Sequence, residues 1–303
     1  MEKNSRIFLA LTIATILTLL AAVGICLQTL SYTPNFEKLR TSANIPIWKE
    51  GQVVGYRKVG PSEKNWVGLD GISNNLIGAV ISSEDTTFFG HSGIDFHELK
   101  ESIKKDIKEK RWARGASTIT QQVVKNVYLT QEKTLWRKIR EVLWAWELDK
   151  KLSKSEVLCF YLNLVQWGPN LYGIRQAAKH YFNTPPSELT PRESAFLALL
   201  LPSPEKYYVY FQKKSLTEFS KNRIEQILKI MSRMGYLTDE IYERALTESL
   251  WGENPDTIMV DPSMDEGSFW APDVPPAEPS PEVEPEFPLP LKEQSDEDTS
   301  VGP

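Results

Sequence analysis

The sequence contains few cysteines and few histidines. Only two of its 303 residues are cysteine and three are histidine. Cys26 and Cys159 are too few for the disulfide framework of a small secreted domain, and no Cys or His spacing is typical of a zinc site. With 41% hydrophobic residues, the chain is long enough for one large domain or two small ones with ordinary hydrophobic cores.

Charged residues are absent from residues 7 to 30. These 24 residues are enough to cross a ~30 Å hydrocarbon layer as a helix. Lys3 and Arg6 precede the run, as in a signal peptide or an anchor, but the run is longer than a signal core and no small-x-small cleavage site follows it. The sequence therefore predicts an uncleaved membrane anchor. The same two cations favour a cytoplasmic N-terminus, although Lys38 and Arg40 weaken the charge asymmetry.

Basic residues are nearly absent from the C-terminal end, residues 252 to 303. This end has 11 prolines, 14 acidic residues and one lysine, and it cannot bury enough apolar area to offset the entropy of ordering, so the sequence predicts a disordered tail. The whole chain has 35 basic and 40 acidic residues, so the first 251 residues hold 34 basic against 26 acidic. A basic body suits an anionic ligand or membrane surface; a solubilising surface charge is the alternative.

Helix signals dominate the residues between the apolar run and the tail. Apolar residues recur with helical spacing, and Ser, Thr, Pro and Glu stand at positions typical of helix starts. Only residues 52 to 59 alternate like a strand, and weakly. The sequence therefore predicts an all-α domain without internal repeats. The predicted helices are residues 74–81, 119–125, 132–151, 154–166, 173–182, 191–201, 216–234 and 239–250.

Two clusters of residues are poorly suited to regular secondary structure. The first runs from Glu84 to Gly93 and places adjacent carboxylates, Glu84 and Asp85, beside two aromatics, a histidine and two glycines. The second runs from Arg114 to Asn126 and combines glycine, hydroxyl side chains and paired glutamines. Local inconsistency of this kind is typical of functional sites.

Glu84 is a candidate general acid or base. It follows an apolar helix and precedes Phe88 and Phe89. Partial desolvation by such aromatics raises the pKa of a carboxyl group, and an ionised Asp85 raises it further. A pKa near neutrality suits proton transfer. The alternative is a solvated Glu-Asp pair in a loop, and His91 is a candidate for holding that loop by hydrogen bonds.

A second candidate carboxylate, Glu141, follows Arg137 and Lys138 on one face of a predicted helix. The alternative is a helix-surface ion pair worth roughly 0.2–0.5 kcal/mol, but the flanking apolar stripe and three tryptophans favour an enclosed helix. With Lys125 and Arg114 added, two carboxylates would share a cationic pocket. A diphosphate leaving group needs neutralising cations rather than a proton, so these cations favour transfer from a diphospho-sugar over glycoside hydrolysis.

Five blocks of sequence resemble the peptidoglycan glycosyltransferases, the family shared by class A penicillin-binding proteins and monofunctional biosynthetic transglycosylases. The blocks occur in order over about residues 70 to 210. They read E-D-x-x-F-x-x-H-x-G from Glu84, G-x-S-T-x-x-Q-Q from Gly115 with Lys125-Asn126 in step, R-K-x-x-E from Arg137, a block similar to K-x-x-I-L-x-x-Y-L-N-x-x-x-x-G from Lys154 to Gly168, and Tyr172-Gly173 through Tyr181-Phe182.

The resemblance implies a lysozyme-like helical fold with a membrane-associated flap over residues 93 to 114. It also implies lipid II as the substrate and β-1,4 glycan strands as the product. Glu84 would be the base that deprotonates the acceptor hydroxyl, and Glu141 would lie near the donor diphosphate. The residues implied to neutralise the diphosphate or otherwise form the substrate site are Asp85, Phe88, His91, Gly93, Arg114, Gly115, Ser117, Thr118, Gln121, Gln122, Lys125, Asn126, Arg137, Lys138, Tyr161 and Asn163.

These expectations divide the chain into a cytoplasmic N-terminus (1–6), a transmembrane anchor (7–30), a linker (31–69), the glycosyltransferase domain (70–251) and the tail (252–303). The protein would be a single-pass protein of the cytoplasmic (inner) membrane, with its catalytic domain on the periplasmic or extracellular side. Expected partners are lipid II, the growing glycan strand, membrane lipids and proteins of cell-wall synthesis or division, but not nucleic acid. A divalent cation, Mg²⁺ or Mn²⁺, at the diphosphate is left open, and no metal ligand is assigned.

Two other functions fit parts of the sequence. A lytic muramidase shares the helical fold and one essential Glu, but it leaves the Arg-Lys-Glu block and the paired glutamines unexplained. An inactive membrane-anchored scaffold would keep the fold, although intact Glu84 and Glu141 argue against it. S-x-x-K sequences begin at Ser102 and Ser203, but no K-T-G sequence accompanies them, so no transpeptidase domain is predicted.

Overall fold

The computed structural model of the protein describes residues 2–31, 33–49, 51–109, 117–130, 132 and 134–252. Arg114 and Gly115 lie outside these ranges, as does the predicted tail beyond Gly252. Within them the fold is predominantly helical. The helices are α1 (Glu2–Ser31), α2 (Asn74–Glu84), α3 (Phe96–Glu109), α4 (Ile119–Tyr128), α5 (Leu135–Lys151), α6 (Lys154–Leu164), α7 (Ile174–Phe182), α8 (Pro191–Leu200), α9 (Pro204–Lys213), α10 (Glu218–Arg233) and α11 (Asp239–Thr247). The strands are β1 (Ala43–Lys49), β2 (Gln52–Val59), β3 (Gln166–Gly168) and β4 (Leu171–Tyr172).

Local capping chemistry sets where most helices begin, as the sequence predicts. The Ser73 hydroxyl accepts a hydrogen bond from the Leu76 N–H at 3.2 Å and starts α2. Helix α5 begins at Leu135 rather than at residue 132, because Thr134 is its cap and accepts the Arg137 N–H. Reciprocal capping boxes, in which each N-cap side chain and the Gln or Glu three residues later bond each other's backbone N–H, join Thr118 to Gln121, Ser153 to Glu156 and Thr190 to Glu193.

Two small antiparallel sheets correct the strictly all-α prediction. The predicted strand, residues 52–59, is confirmed as β2, and it pairs with β1, which the sequence pattern does not predict. Pro46, opposite Tyr56 in this hairpin, lacks a backbone donor and breaks the strand signal in β1. Strands β3 and β4 are too short to show periodicity. Helix α9 is also unpredicted, because residues 207–210 are aromatic or β-branched and individually favour strands.

The core forms around two groups of helices. Every residue of α2 from Leu76 to Ser82 is buried, and α2 packs against α8 and α10. Helix α4 packs against α5 and α6, where the side chain of Tyr161 is fully buried. Burial of apolar surface stabilises a fold by about 25 cal/mol per Å², so α2, α4, α5 and α6 are held firmly, and these helices carry most of the predicted site.

The segment that follows α1 is fastened to the helical body. Phe36 is buried, and its ring meets that of Tyr128 edge-on with centroids 5.4 Å apart. The Arg40 guanidinium donates hydrogen bonds to both carboxylate oxygens of Glu156 and to the backbone oxygen of Lys151. Over the residues whose side chains the structure describes, no helix is both long enough and apolar enough to cross a membrane.

Candidate active site

Glu84 is the last residue of α2 and is only partly exposed. Its Oε2 accepts a hydrogen bond from Gln122 Nε2 at 2.8 Å, and Gln122 Oε1 accepts one from the Tyr161 hydroxyl at 3.1 Å. Tyr161 is fully buried on α6. A chain of hydrogen bonds that starts in the core therefore orients the Glu84 carboxylate, and it joins three helices at one point.

The surroundings of Glu84 favour its neutral form. Desolvation by burial raises the pKa of the Glu84 carboxyl, and the nearby charge of Asp85 raises it further. The Gln122 hydrogen bond and the positive charges of Arg223 and Lys125 oppose this shift without cancelling it. A carboxyl group with a raised pKa can accept a proton more readily near neutral pH, as the sequence analysis expects for a general base.

Asp85 and His91 hold the loop that follows Glu84. Asp85 Oδ1 hydrogen-bonds His91 Nε2 at 2.9 Å, and Asp85 Oδ2 accepts the Ile119 N–H at 3.0 Å. Ile119 is the first residue of α4, where unpaired N–H groups favour an anion. Both side chains are largely buried, so the geometry supports a loop-shaping role for Asp85 and the predicted structural role for His91.

Gly93 packs directly against α5. Its φ is +79°, in the left-handed region, and a Cβ atom there would lie 2.5 Å from the Ala145 backbone oxygen. Only glycine satisfies both conditions without strain. The Gly93 carbonyl accepts a hydrogen bond from Thr118 Oγ1 at 2.7 Å. The end of the first cluster is thereby fixed to the start of the second.

Glu141 is almost fully buried on α5, with 2% of its side chain exposed. Arg137 Nη1 donates to Glu141 Oε2 at 2.9 Å, and Lys138 Nζ donates to Glu141 Oε1 at 2.5 Å. Lys138 Nζ also lies 2.8 Å from Ser117 Oγ. An enclosed carboxylate that receives two charge-assisted hydrogen bonds differs from the exposed ion pair that was the alternative.

Lys125 connects the two carboxylates electrostatically. Lys125 lies on α4, one turn after Gln122, and the residue as a whole is exposed. Desolvation by the surrounding protein lowers the pKa of the Lys125 ammonium, while attraction to Glu141 and Glu84 raises it, and Lys138 and Arg137 lower it. Lys125 therefore interacts electrostatically with Glu84, Glu141, Arg137 and Lys138. The fourth predicted cation, Arg114, lies outside the described residues.

Several other predicted residues support the site from within the protein. Phe88 is fully buried, Gln121 is 1% exposed, and Thr118 and Gln121 are the capping box of α4. Asn163 Nδ2 donates to the Val67 oxygen and its Oδ1 accepts the Val67 N–H. The hydrogen bonds of these side chains go to protein groups. Asn126 is partly exposed on α4.

The sequence analysis does not single out Arg223, which acts on Glu84 from α10. Arg223 occupies the buried stripe of this helix together with Ile224, Ile227 and Leu228. A charged residue at a stripe position is the signal that could have identified it, because a buried charge requires a partner. The partner is the end of α2, 140 positions away in sequence, so the sequence alone does not identify it.

A second unpredicted feature is an ion pair beneath the loop. Lys154 Nζ donates to Asp149 Oδ1 at 2.7 Å and lies 4.7 Å from the centre of the Phe88 ring. Thr120 Oγ1 also donates to Asp149 Oδ1, at 3.3 Å. Helices α4, α5 and α6 are thereby cross-linked under the site.

Among the residues that the structure describes, no group of three or more His, Cys, Asp or Glu side chains is arranged to hold a metal ion. Lys125, Arg137 and Lys138 supply positive charge at the site.

The site contains two carboxylates with different surroundings. Glu84 is partly desolvated, and Glu141 accepts hydrogen bonds from two cations, with a third cation, Lys125, nearby. They suit proton transfer coupled to the departure of an anionic group. Comparison with known proteins identifies the family. The model of the family described as Transglycosylase matches residues 50–232, and the chain belongs to this family.

Individual relatives carry related names. The chain is 42% identical over 154 residues to the biosynthetic peptidoglycan transglycosylase of Nitrosomonas eutropha, covering 51% of this chain and 63% of that protein. It is 32% identical over 257 residues to penicillin-binding protein 1A of Clostridium tetani, covering 81% of this chain and 32% of that protein. The crystal structure of penicillin-binding protein 1A from Haemophilus influenzae is 21% identical, covers 71% of this chain and 22% of that chain, and gives a TM-score of 0.34. The chain spans about three fifths of the length of the biosynthetic transglycosylases it matches.

Proposed function

We propose that this protein is a monofunctional peptidoglycan glycosyltransferase, which polymerises lipid II into β-1,4-linked glycan strands and releases undecaprenyl diphosphate. The observation that carries the proposal is how the start of α4 joins the two carboxylates: Gln122 donates to Glu84 at 2.8 Å, and Ser117 lies 2.8 Å from Lys138, which donates to the buried Glu141. A proton acceptor and a cationic anion-binding group on either side of α4 would suit this reaction. Membership of the transglycosylase family and the names of the relatives support the same reaction class.

In this reaction the Glu84 carboxylate removes the proton from the acceptor sugar hydroxyl. The hydroxyl oxygen forms a bond to the anomeric carbon of the donor, and the bond from that carbon to the diphosphate breaks. The proton stays on Glu84 and the electron pair leaves with the diphosphate. Lys125, Arg137 and Lys138 would stabilise the charge that develops on the leaving group.

Glu141 would orient the cations rather than transfer a proton. Its two oxygens each receive one cationic donor, Arg137 at 2.9 Å and Lys138 at 2.5 Å. Both side chains are therefore held in place before the diphosphate arrives, so less conformational entropy is lost on binding. A divalent cation such as Mg²⁺ or Mn²⁺ would bind mainly through diphosphate oxygens and water.

We also propose that α1 is the membrane anchor, with the body on the periplasmic or extracellular face of the cytoplasmic membrane. Residues 7 to 30 carry no charge, and Leu11, Leu17 and Leu20 on this helix are each more than 60% exposed. Burial of such side chains in hydrocarbon is favourable. An anchored enzyme would meet a lipid-linked substrate, membrane lipids and proteins of cell-wall synthesis at that surface.

The products made from purified lipid II test the proposed reaction. The full-length protein in detergent should convert lipid II into long glycan strands and release undecaprenyl diphosphate. Cleavage of preformed glycan, without polymerisation, would identify a lytic muramidase instead. Absence of both activities in a folded protein would favour a scaffold and contradict the proposal.

A further inference from the structure

Arg223 reaches from α10 to the end of α2 that carries Glu84. Its Nη2 donates to the backbone oxygen and to the hydroxyl of Ser83, at 3.4 and 3.3 Å, and its Nη1 lies 3.5 Å from Gln226 Oε1. Only 8% of Arg223 is exposed. Ser83 is the residue before Glu84 and lies 140 positions from Arg223 in sequence, so this contact depends entirely on the tertiary fold.

This contact places positive charge where negative charge accumulates. The last carbonyl groups of a helix carry partial negative charge, and α2 adds the carboxylate of Glu84 at the same end. Desolvation lowers the pKa of the Arg223 guanidinium to about 10, so Arg223 is still a cation at neutral pH. Attraction to Glu84 acts in the opposite direction and favours the charged guanidinium.

The groups that act on Glu84 come from each element around it. Lys125 on α4 and Arg223 on α10 lower the pKa of the Glu84 carboxyl, and Asp85 raises it. Gln122 donates a hydrogen bond from α4, and Tyr161 on α6 lies behind Gln122. Of the two cations, Lys125 is exposed and is proposed to bind the diphosphate during the reaction. Arg223 is enclosed by protein, so it stays beside the end of α2 whether or not substrate is bound.

We propose that Arg223 is a positioning residue of the reaction: it fixes the end of α2 by its bonds to Ser83, and its positive charge beside Glu84 favours the carboxylate form, which is the form that accepts a proton. The proposal rests on the proposed role of Glu84 as the base. A purely mechanical role, in which Arg223 only joins α10 to α2, is the competing account. The two accounts differ in whether the charge or the hydrogen bonds of Arg223 matter.

Direct titration of Glu84 separates the two accounts without measuring activity. The full chain, labelled with ¹³Cδ-glutamate in detergent, gives a Glu84 resonance that Glu84→Gln identifies by its loss. Arg223→Gln keeps a donor near Ser83 but removes the charge, so the pKa of Glu84 should rise by about one unit or more. Arg223→Lys keeps the charge and should titrate like the wild type.

Arg192 on α8 provides the matched control. It is also a buried arginine, 3% exposed, that donates to backbone oxygens at the end of a helix, here those of Ala245 and Leu246. Arg192→Gln should leave the Glu84 titration unchanged. An unchanged titration in Arg223→Gln would overturn the proposal. A shift of one unit or more in Arg223→Lys, or an equal shift in Arg192→Gln, would overturn it as well.

The pH dependence of polymerisation gives a second readout. In Arg223→Gln the acid limb of kcat/KM should move to higher pH by the same amount as the titration, so that kcat/KM on that limb falls about tenfold or more and recovers as the pH rises. Arg223→Lys should restore the wild-type limb. If the wild-type protein does not polymerise lipid II, the proposed function fails, whereas the titration still decides the effect of Arg223.

Discussion

Glu84 and Glu141 have different neighbours, and this difference would suit the two glutamates to different roles. Glu84 has one neutral donor, Gln122 Nε2 at 2.8 Å, and burial raises the pKa of its carboxyl. Glu141 has two cationic donors, Arg137 and Lys138, and is buried behind them. A carboxyl that favours its neutral form can take up a proton, whereas one saturated by cations can orient them.

Because the pKa of Glu84 is raised in the folded protein, the folded state binds a proton at Glu84 more tightly than the unfolded state does. The neutral form of Glu84 therefore stabilises the fold at low pH, and this stabilisation is lost as the pH rises through the pKa of the folded state. Glu84→Gln should therefore be more stable than wild type at pH 7, by about 0.5–2 kcal/mol, but not at pH 3. Denaturant unfolding at both pH values checks this, with Glu243→Gln on the exposed face of α11 as the control. Equal or lower stability of Glu84→Gln at pH 7 would contradict the account.

Lys138→Met tests whether this cation serves the reaction or only Glu141. Loss of a charge-assisted hydrogen bond to a buried carboxylate should cost about 1.5–3 kcal/mol of stability, and loss of a donor to the leaving group should lower turnover roughly 10²–10³-fold. Melting temperature and initial rate are measured on the same preparation at a temperature where the variant is folded. Near-normal turnover by the Lys138→Met variant would show that Lys138 serves only to hold Glu141.

Lys150→Met is the matched control for that experiment. Lys150 forms the same i,i+3 pair on α5, donating to Glu147 at 2.8 Å, but the pair is more exposed and Lys150 also lies over the Trp146 ring. Its replacement should cost about 0.5 kcal/mol or less and leave turnover unchanged.

At the scale of secondary-structure elements, the loop after α2 determines how α4 and α5 approach each other. Asp85 caps the start of α4 through the Ile119 N–H, and Gly93 contacts Ala145 on α5 while its carbonyl accepts the Thr118 hydroxyl. The first sequence cluster and the described part of the second, from Ser117 onward, therefore form one structural unit, although about two dozen residues separate them. A substitution that breaks the contacts of Asp85 or Gly93 should therefore displace Gln122 and Ser117 together.

Gly93→Ala should destabilise the protein more than an ordinary glycine substitution. A side chain at positive φ costs roughly 1–2 kcal/mol, and a Cβ 2.5 Å from a backbone oxygen forces α5 or the loop to move. Gly235→Ala has a similar φ of +78° with nothing within 4 Å, so it isolates the first effect. Unfolding free energies of both variants are compared; an equal loss in the two would show that the Gly93–Ala145 contact does not constrain the fold.

Short-range chemistry explains which elements could be predicted. Ser73, Thr118, Ser153 and Thr190 start helices through bonds to residues three positions away, so the sequence alone identifies them. Strand β1 owes its structure to pairing with β2, and the contact between Arg223 and Ser83 owes its existence to the packing of α10 on α2. Such features depend on tertiary partners, which local periodicity does not reveal.

The same division between local and tertiary contacts applies to the candidate site. The pairing of Glu141 with Arg137 and Lys138 follows from helical spacing and is confirmed. The hydrogen bonds of Gln122 with Glu84 and Tyr161 join three helices. They could not be predicted, because sequence spacing gives contacts within a helix but not contacts between helices. The catalytic and binding roles of these residues stay predictions.

At the scale of the whole molecule, a helix with exposed apolar side chains precedes a basic body. Arg40 and Phe36 attach the segment after α1 to that body through Glu156 and Tyr128. An anchor joined in this way would keep the site near the membrane surface. That placement would suit a substrate whose diphosphate is held at the surface by its lipid.

The anchor and its orientation can be tested in cells. A phosphatase fused after Leu250, at the end of the described body, should be active outside the cytoplasmic membrane, and a fluorescent reporter that needs the cytoplasm should be dark there. The mature N-terminus should precede residue 7. Cytoplasmic signal would refute the orientation, and a mature protein that starts beyond Leu30 would refute the anchor.

The most direct test of the account is the polymerisation rate of Glu84→Gln with purified lipid II. This substitution keeps the shape of the side chain and its contact with Gln122 but removes the proton acceptor. The rate should fall by roughly two to four orders of magnitude, while circular dichroism and thermal unfolding show an intact fold. A folded Glu84→Gln protein that makes glycan strands at close to the wild-type rate would contradict the central claim that Glu84 is the base.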